Sequence, residues 1–254
     1  MSSNGESIGT MSVAIAAAIV WGVLGTGFAY AQAAAPPPLW SGSLGAGLAI
    51  TSGNADTNNL NISFGVTHDP ANPHVIKADA LYLRGENDGE LNINRSTFGV
   101  RDDYALSPRT SLFGQFRHLR DTFKSIDYLM APTAGVAHKI VMSPTTLLAA
   151  DIGAGAVFEK NPGFDVSKSG ALTAGQNFSH KLSDTATVTQ SVTGLWKTSD
   201  FGDALYTFAA GLAANITTKV TLKVEVLEVY KNKPPTALVQ KQDVSLITSI
   251  VYAF

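Results

Sequence analysis

The chain has 254 residues, of which 45% are apolar and only 15% charged, with a formal net charge of -2 and no cysteine. A chain this apolar is not disordered, and one this close to neutral has no broad basic surface for nucleic acid. The missing cysteine excludes disulfides, thiolate metal sites and a cysteine nucleophile. Mean hydropathy is +0.11, and beyond the N-terminal segment no apolar run reaches the ~20 residues that a spanning helix needs.

Residues 11–35 read MSVAIAAAIVWGVLGTGFAYAQAAA, an apolar stretch that ends in small residues and is followed by Pro36-Pro37-Pro38. Ala29-Tyr30-Ala31 and Ala31-Gln32-Ala33 both fit a small-x-small cleavage site. The expectation is a removable signal peptide over 1–33 and a short Pro-rich linker over 34–39. The segment departs from the usual pattern in having no Lys or Arg; the first basic residue is Lys77.

From Trp40 the pattern becomes two-residue alternation and holds to the end. Trp40, Gly42, Leu44, Ala46, Leu48 and Ile50 share one face of the first run, and Leu60, Ile62, Phe64 and Val66 share a face of the second. In the last run Val244, Leu246, Thr248, Ile250, Tyr252 and Phe254 do the same. A period of two means a strand with one apolar face. Twelve runs are predicted, at 40–50, 59–68, 74–84, 95–106, 109–119, 127–140, 145–158, 169–181, 185–197, 203–215, 218–230 and 242–254. Each has about 10 to 14 residues, whereas globular strands average nearer 5–6 and a membrane-crossing strand needs about 9–11.

The connections alternate as well. LSPR at 106–109, MSPT at 142–145, LSDT at 182–185 and ITTK at 216–219 are tight turns of Ser, Thr, Pro and Asp, and HDPANPH at 68–74 lies on their side. Segments 51–58, 85–94, 120–126, 159–168, 198–202 and 231–241 are the longer connections. Short turns at one end and long loops at the other are the habit of an outer-membrane barrel. The predicted fold is therefore all-β: an up-and-down antiparallel transmembrane β-barrel of about 12 strands over 40–254, in the bacterial outer membrane with both termini periplasmic. Aromatics fit two belts. Tyr82, Tyr128, Phe158, Trp196, Tyr206 and Tyr230 fall at the long-loop ends, and Trp40, Tyr104, Phe178, Tyr252 and Phe254 near the short turns.

If the apolar face meets lipid, the other face lines the interior. It carries the candidate lumen residues Lys77, Asp79, Arg95, Arg101, Asp103, Arg117, Lys139, Asp151, Lys181, Lys223 and Glu225, among Gly99, Gly135, Gly153, Gly155, Gly175 and Gly211. Charges of both signs around an aperture govern which ions pass; the same charges paired in a filled interior are structural. The residues leave both readings open: a narrow passive channel for small hydrophilic solutes or ions, or a closed structural or stress-related barrel. Asp102 and His138 fall on the lipid face, where either is costly near the middle of the bilayer; a bulge in its strand would turn Asp102 inward.

None of the five histidines has an evident outward Ser at its depth on a neighbouring strand, so no hydrolase is expected. No metal or other cofactor is expected either. Lys124, Lys160, Lys168, Lys197, Lys231, Lys233 and Lys241 lie in or beside the long loops, where they are candidates to pair with lipopolysaccharide phosphates.

The opening Trp40-Ser41-Gly42-Ser43-Leu44-Gly45-Ala46-Gly47, followed by Thr51-Ser52-Gly53-Asn54-Ala55-Asp56-Thr57, resembles the YdiY-type salt-induced outer-membrane protein family, with its W-x-G first strand, T-S-G-N first loop and terminal Phe. The resemblance would span about 40–254. It implies an outer-membrane location and a link to osmotic stress, but no substrate, catalytic residue or cofactor. The C-terminal pattern with Tyr252 and Phe254 resembles the assembly signal that such barrels present to the barrel-assembly machinery. Partners expected are outer-membrane lipids, lipopolysaccharide and that machinery, with a monomeric state.

Overall fold

The computed structural model describes residues 39–52, 57–70, 72–87 and 90–254. The expected signal peptide, most of the linker and Gly53–Asp56 of the first loop lie outside the described residues. Twelve strands follow: β1 (Trp40–Ser52), β2 (Thr57–His68), β3 (His74–Asn87), β4 (Glu90–Ala105), β5 (Thr110–Asp121), β6 (Ile126–Met142), β7 (Thr146–Lys160), β8 (Ser167–Lys181), β9 (Ala186–Lys197), β10 (Asp200–Asn215), β11 (Val220–Lys231) and β12 (Gln242–Ala253). Each pairs antiparallel with its sequence neighbours, and β12 pairs back onto β1, so the sheet is a closed barrel. At the seam the Gly42 N–H donates to the Phe254 carbonyl and the Phe254 N–H to the Gly42 carbonyl, both at 3.0 Å. A closed ladder leaves no strand edge to be desolvated in lipid.

Four of the short turns are built alike. The side-chain oxygens of Ser107, Ser143, Ser183 and Thr217 accept the backbone N–H groups of Thr110 (3.0 Å), Thr146 (2.9 Å), Ala186 (3.1 Å) and Val220 (3.0 Å). A hydroxyl that captures the N–H three residues on fixes the turn without help from packing. This is the physical content of the recurring LSPR, MSPT, LSDT and ITTK segments. At the other end the strands run further than their alternation implied. β3 reaches Asn87, β4 starts at Glu90 and β10 at Asp200, so the 85–94 and 198–202 connections are shorter than expected. Backbone pairing continues there although the side chains have turned polar.

Over the body of every strand the odd-numbered residues point inward and the even-numbered ones outward. Leu44, Ile62, Phe64, Phe98, Val136, Ile152, Leu172, Leu212 and Ile250 are all exposed on the outer wall. The area they leave open is far more apolar than a soluble surface tolerates as one continuous band. Ile152, in the middle of β7, is 67% exposed. The expected cost of Ile152→Arg is about 2–4 kcal/mol, the range for a cation on the lipid face near the midplane. The check is the urea midpoint of the bilayer-inserted protein; an unchanged midpoint would place that face out of lipid.

Glycines on the inner face let adjacent backbones approach. A Cβ on Gly135 would strike the Ile152 carbonyl oxygen, and one on Gly155 the Pro132 carbonyl oxygen. These residues sit on β6 and β7, where Gly135 pairs directly with Gly153.

Candidate functional site

The lumen divides into two halves. Towards the short turns it is polar. Lys77, Asp79, Arg101, Asp103, Arg117, Lys139, Asp151, Lys181, Lys223 and Glu225 all lie on the inward face there. Lys77 on β3 meets Asp103 on the neighbouring β4 at 3.0 Å, Arg101 meets Asp103 of its own strand at 2.8 Å and Asp151 on β7 at 3.6 Å, and Lys223 meets Glu225 within β11 at 2.6 Å. Arg101 also lies 3.9 Å over the Phe113 ring. Arg117 on β5 reaches Asp79 on β3 at 2.7 Å, across the intervening β4. Gly99 makes that reach possible, since a Cβ there would stand 2.6 Å from Arg117 Nη1 and 2.9 Å from Asp79 Oδ1. Lys139, at the mouth, donates to the Pro108 carbonyl at 3.4 Å.

Towards the long loops the polarity of the wall inverts. Leu83, Ile93, Leu227, Val229 and Ile247 point inward and form one buried cluster, with Leu81 and Leu205 against it. Leu83 and Ile93 belong to β3 and β4, the others to β11 and β12, and β1 and β2 separate the two groups around the wall. The contact is therefore made across the lumen. Ile126, Leu129, Ala131, Val157 and Ala171 form a second cluster that also meets Leu205. At the same level the outward positions turn polar. Arg84 pairs with Glu86, both about half exposed, and Glu228 accepts from Gln242 at 2.7 Å. A wall that is greasy outside and polar inside suits hydrocarbon; one that is polar outside and greasy inside suits water. Strands such as β3 and β11 change from the first to the second along their length, and the greasy section fills its own bore.

Interleaved with these apolar residues lie two groups of four charges, all of them buried except the partly open Asp203. Arg95 meets Asp121 at 2.5 Å and Asp243 at 3.2 Å, and Lys124 meets Asp243 at 3.3 Å. Glu159 holds Lys197 at 2.8 Å and Lys231 at 3.0 Å, and Asp203 holds the same two lysines at 2.5 and 3.0 Å. Each quartet has two positive and two negative members and no net charge. Both cross the bore, joining β4 and β5 to β12, and β7 to β9, β10 and β11. Burial holds the Lys124 ammonium below the usual lysine range, against the opposing pull of Asp243. The folded state thus binds fewer protons at this group than the unfolded chain in the alkaline window below the ordinary lysine value. Its contribution to stability rises with pH there.

These contacts revise one expectation. Lys124, Lys197 and Lys231 are not loop-surface lysines: they are buried and ion-paired, Lys124 because the turn after β5 folds it onto Asp243 and the Gln240 carbonyl, and Lys197 and Lys231 because strand alternation continues past the last apolar outward residue. Asp121, Glu159, Asp203 and Asp243 escaped the sequence reading for the same reason, although all are odd-numbered and so in phase with the inward face. Arg95 lies in the bore, in the buried quartet towards the long loops. Asp102 stays outward, since β4 pairs through it without a register shift on either side; its carboxylate is met by His74 Nδ1 at 2.9 Å.

Outward hydroxyl–histidine pairs do occur, with threonine in place of serine: Thr110 with His138 at 3.0 Å and Thr146 with His180 at 2.8 Å. They sit at the short-turn rim beside Phe178, which stacks on His180. At the opposite rim Trp196 donates to the Tyr206 hydroxyl at 3.0 Å, and Tyr206 lies 6.0 Å from Tyr230. Tyr252 and Phe254 are exposed on the outer wall at the seam. Among the described residues no cluster of three or more His, Asp and Glu is placed to hold a metal ion.

The comparisons with known proteins bear on the fold. The profile of a family described as "Protein of unknown function, DUF481" matches residues 44–254. No curated protein matches. Among solved structures the chain is similar to the NanC porin, with 11% identity and a TM-score of 0.56 over 82% of this chain and 98% of that one. It is also similar to the translocator domain of the autotransporter NalP from Neisseria meningitidis, with 9% identity and a TM-score of 0.50 over 86% and 90%. The KdgM porin aligns at 13% identity and a TM-score of 0.49 over 84% and 99%.

Proposed function

This chain belongs to the DUF481 family, and we propose that it works as a narrow outer-membrane channel for small hydrophilic solutes or ions, closed in the state described by the plug at its long-loop end. The observation that carries this reading is the charged inner half of the bore inside an apolar outer wall. A barrel whose only task was to be solid has no use for ten ionisable groups on its inner face, since each pair is costly to desolvate and is matched in stability by packed side chains. The barrel likeness to the NanC porin supports the same reading by analogy of fold alone.

In this reading residues 1–33 direct export and are removed, both chain ends lie in the periplasm, and Tyr252 and Phe254 are read by the barrel-assembly machinery. The folded protein is a monomer among outer-membrane lipids and lipopolysaccharide, and the remaining loop lysines Lys160, Lys168, Lys233 and Lys241 face the lipid phosphates. No catalytic role is assigned to any residue.

The second reading, a closed envelope protein without transport, is favoured by one specific observation: the apolar layer and both quartets span the bore. Planar-bilayer recording separates the two. A channel gives rare or brief openings as it stands and sustained steps once the plug is weakened. A closed structural barrel stays silent in both forms, and silence from well-folded, plug-weakened protein would end the channel reading.

A further inference from the structure

We propose that the inner half of the bore is an anion-selective vestibule, entered from the short-turn end, that concentrates small carboxylate or phosphate ions and excludes small cations. The inference deepens the channel reading and rests on it for any role in transport, but the charge pattern stands by itself.

Two observations carry it. The first is the count. Between the apolar residues and the short turns, the inward face of the described residues bears six basic side chains and four carboxylates, while the two quartets at the long-loop end are neutral. The second is where those charges sit. The carboxylates of Asp103, Asp151 and Glu225 are withdrawn into the wall, with 12%, 5% and 15% of their side-chain surface left open. The ammonium-bearing side chain of Lys77 is 51% open, and Lys139 at the mouth is exposed. Arg101 and Lys223 are as withdrawn as these acids, at 10% and 16%, and Arg117 and Asp79 are matched at 25% and 27%, so the charge that an ion entering the bore meets in excess is that of the Lys77 and Lys139 ammonium groups. Low-dielectric walls focus that field into the water column, and rings of Lys and Arg are what anion pores use. The blind upper end matters too. With no exit through the plug, an anion drawn in stays beside these groups and does not pass them.

The chain contains no cysteine, so a single introduced thiol is unique. Ser179→Cys places it on the inward face of β8, two residues above Lys181. Folded full-length barrel is exposed to a negatively charged sulfonatoethyl and a positively charged trimethylammonioethyl methanethiosulfonate. Each rate is divided by that reagent's rate with a small free thiol. The expected normalised preference is about threefold to tenfold for the anionic reagent, the size that a potential of one to a few kT produces. Adding Lys139→Glu and Lys181→Glu is expected to reverse it. A normalised ratio at or below one, or a ratio indifferent to the two reversals, overturns the proposal. This measurement needs no open pore. In a plug-weakened variant under a salt gradient the reversal potential is expected to take the sign of anion permeation; a cation sign overturns the proposal. Silence in the bilayer with an intact reagent preference sinks the channel reading and leaves the vestibule standing.

Discussion

Replacing Leu83 and Leu227 together by serine is expected to turn a silent barrel into one with sustained single-channel steps. Both side chains point inward from opposite arcs of the wall, and they belong to the same buried cluster; Leu83 has no exposed surface at all. The apolar layer closes the bore by excluding water, and a hydrophobic constriction conducts once it wets. Two serines remove the branched carbons that meet across the lumen and put hydroxyls in their place, which gives water partners on both sides. The stability lost is on the order of 2–5 kcal/mol for each truncation, by analogy with buried Leu→Ala changes. The long backbone ladder and the unchanged outer wall are expected to keep the barrel folded. Heat-modifiable migration in gels reports that directly. Ile152→Ser on the outer wall is the control: it deletes a similar apolar group and is expected to leave the bilayer silent. Conductance from the control, or none from a well-folded double variant, would show that the leucine layer is not the barrier.

The sequence made the barrel legible because one rule governs most of it. Within hydrocarbon an even-numbered residue such as Ile62, Phe98 or Ile152 must be apolar, and the odd-numbered residues between them are free to be Asp79, Arg101 or Gly153. That rule located all twelve strands and put each candidate lumen residue in phase with the inner face. It fails in the last few positions before the long loops, where the medium changes from lipid to water. In β11 the run Val224, Glu225, Val226 obeys the membrane rule. Leu227, Glu228, Val229 obeys the soluble one, with the apolar side chains now inward. A reader who expects apolar residues to face out takes Lys231 and Glu159 for loop polarity, although the parity of their strands places them inside. The quartets join strands that are distant in sequence, Arg95 to Asp243 and Glu159 to Lys231, and no local pattern encodes which charge meets which. Barrel closure supplies that, because it brings β4 opposite β12 and β7 opposite β11.

The quartet of Glu159, Asp203, Lys197 and Lys231 predicts a second large effect, with a rescue that separates charge from packing. Glu159→Gln leaves two buried ammonium groups facing one carboxylate, a net positive charge where Glu159 is 1% exposed and Lys231 2%. Breaking a buried pair by removing one partner costs about 3–5 kcal/mol, most of it the uncompensated charge. Glu159→Gln combined with Lys231→Met restores neutrality, with Lys197 and Asp203 still 2.5 Å apart. The double variant is expected to recover all but about 1–2 kcal/mol, since well-packed apolar groups replace buried ion pairs at little cost. The readout is the urea midpoint of unfolding in the bilayer for wild type, both single variants and the double. Lys231→Met alone is expected to be destabilised as well, by the opposite excess of charge. Strict additivity of the two single losses would mean that the residues do not sense each other's charge, and that the outer end of the bore is wet where the geometry makes it dry.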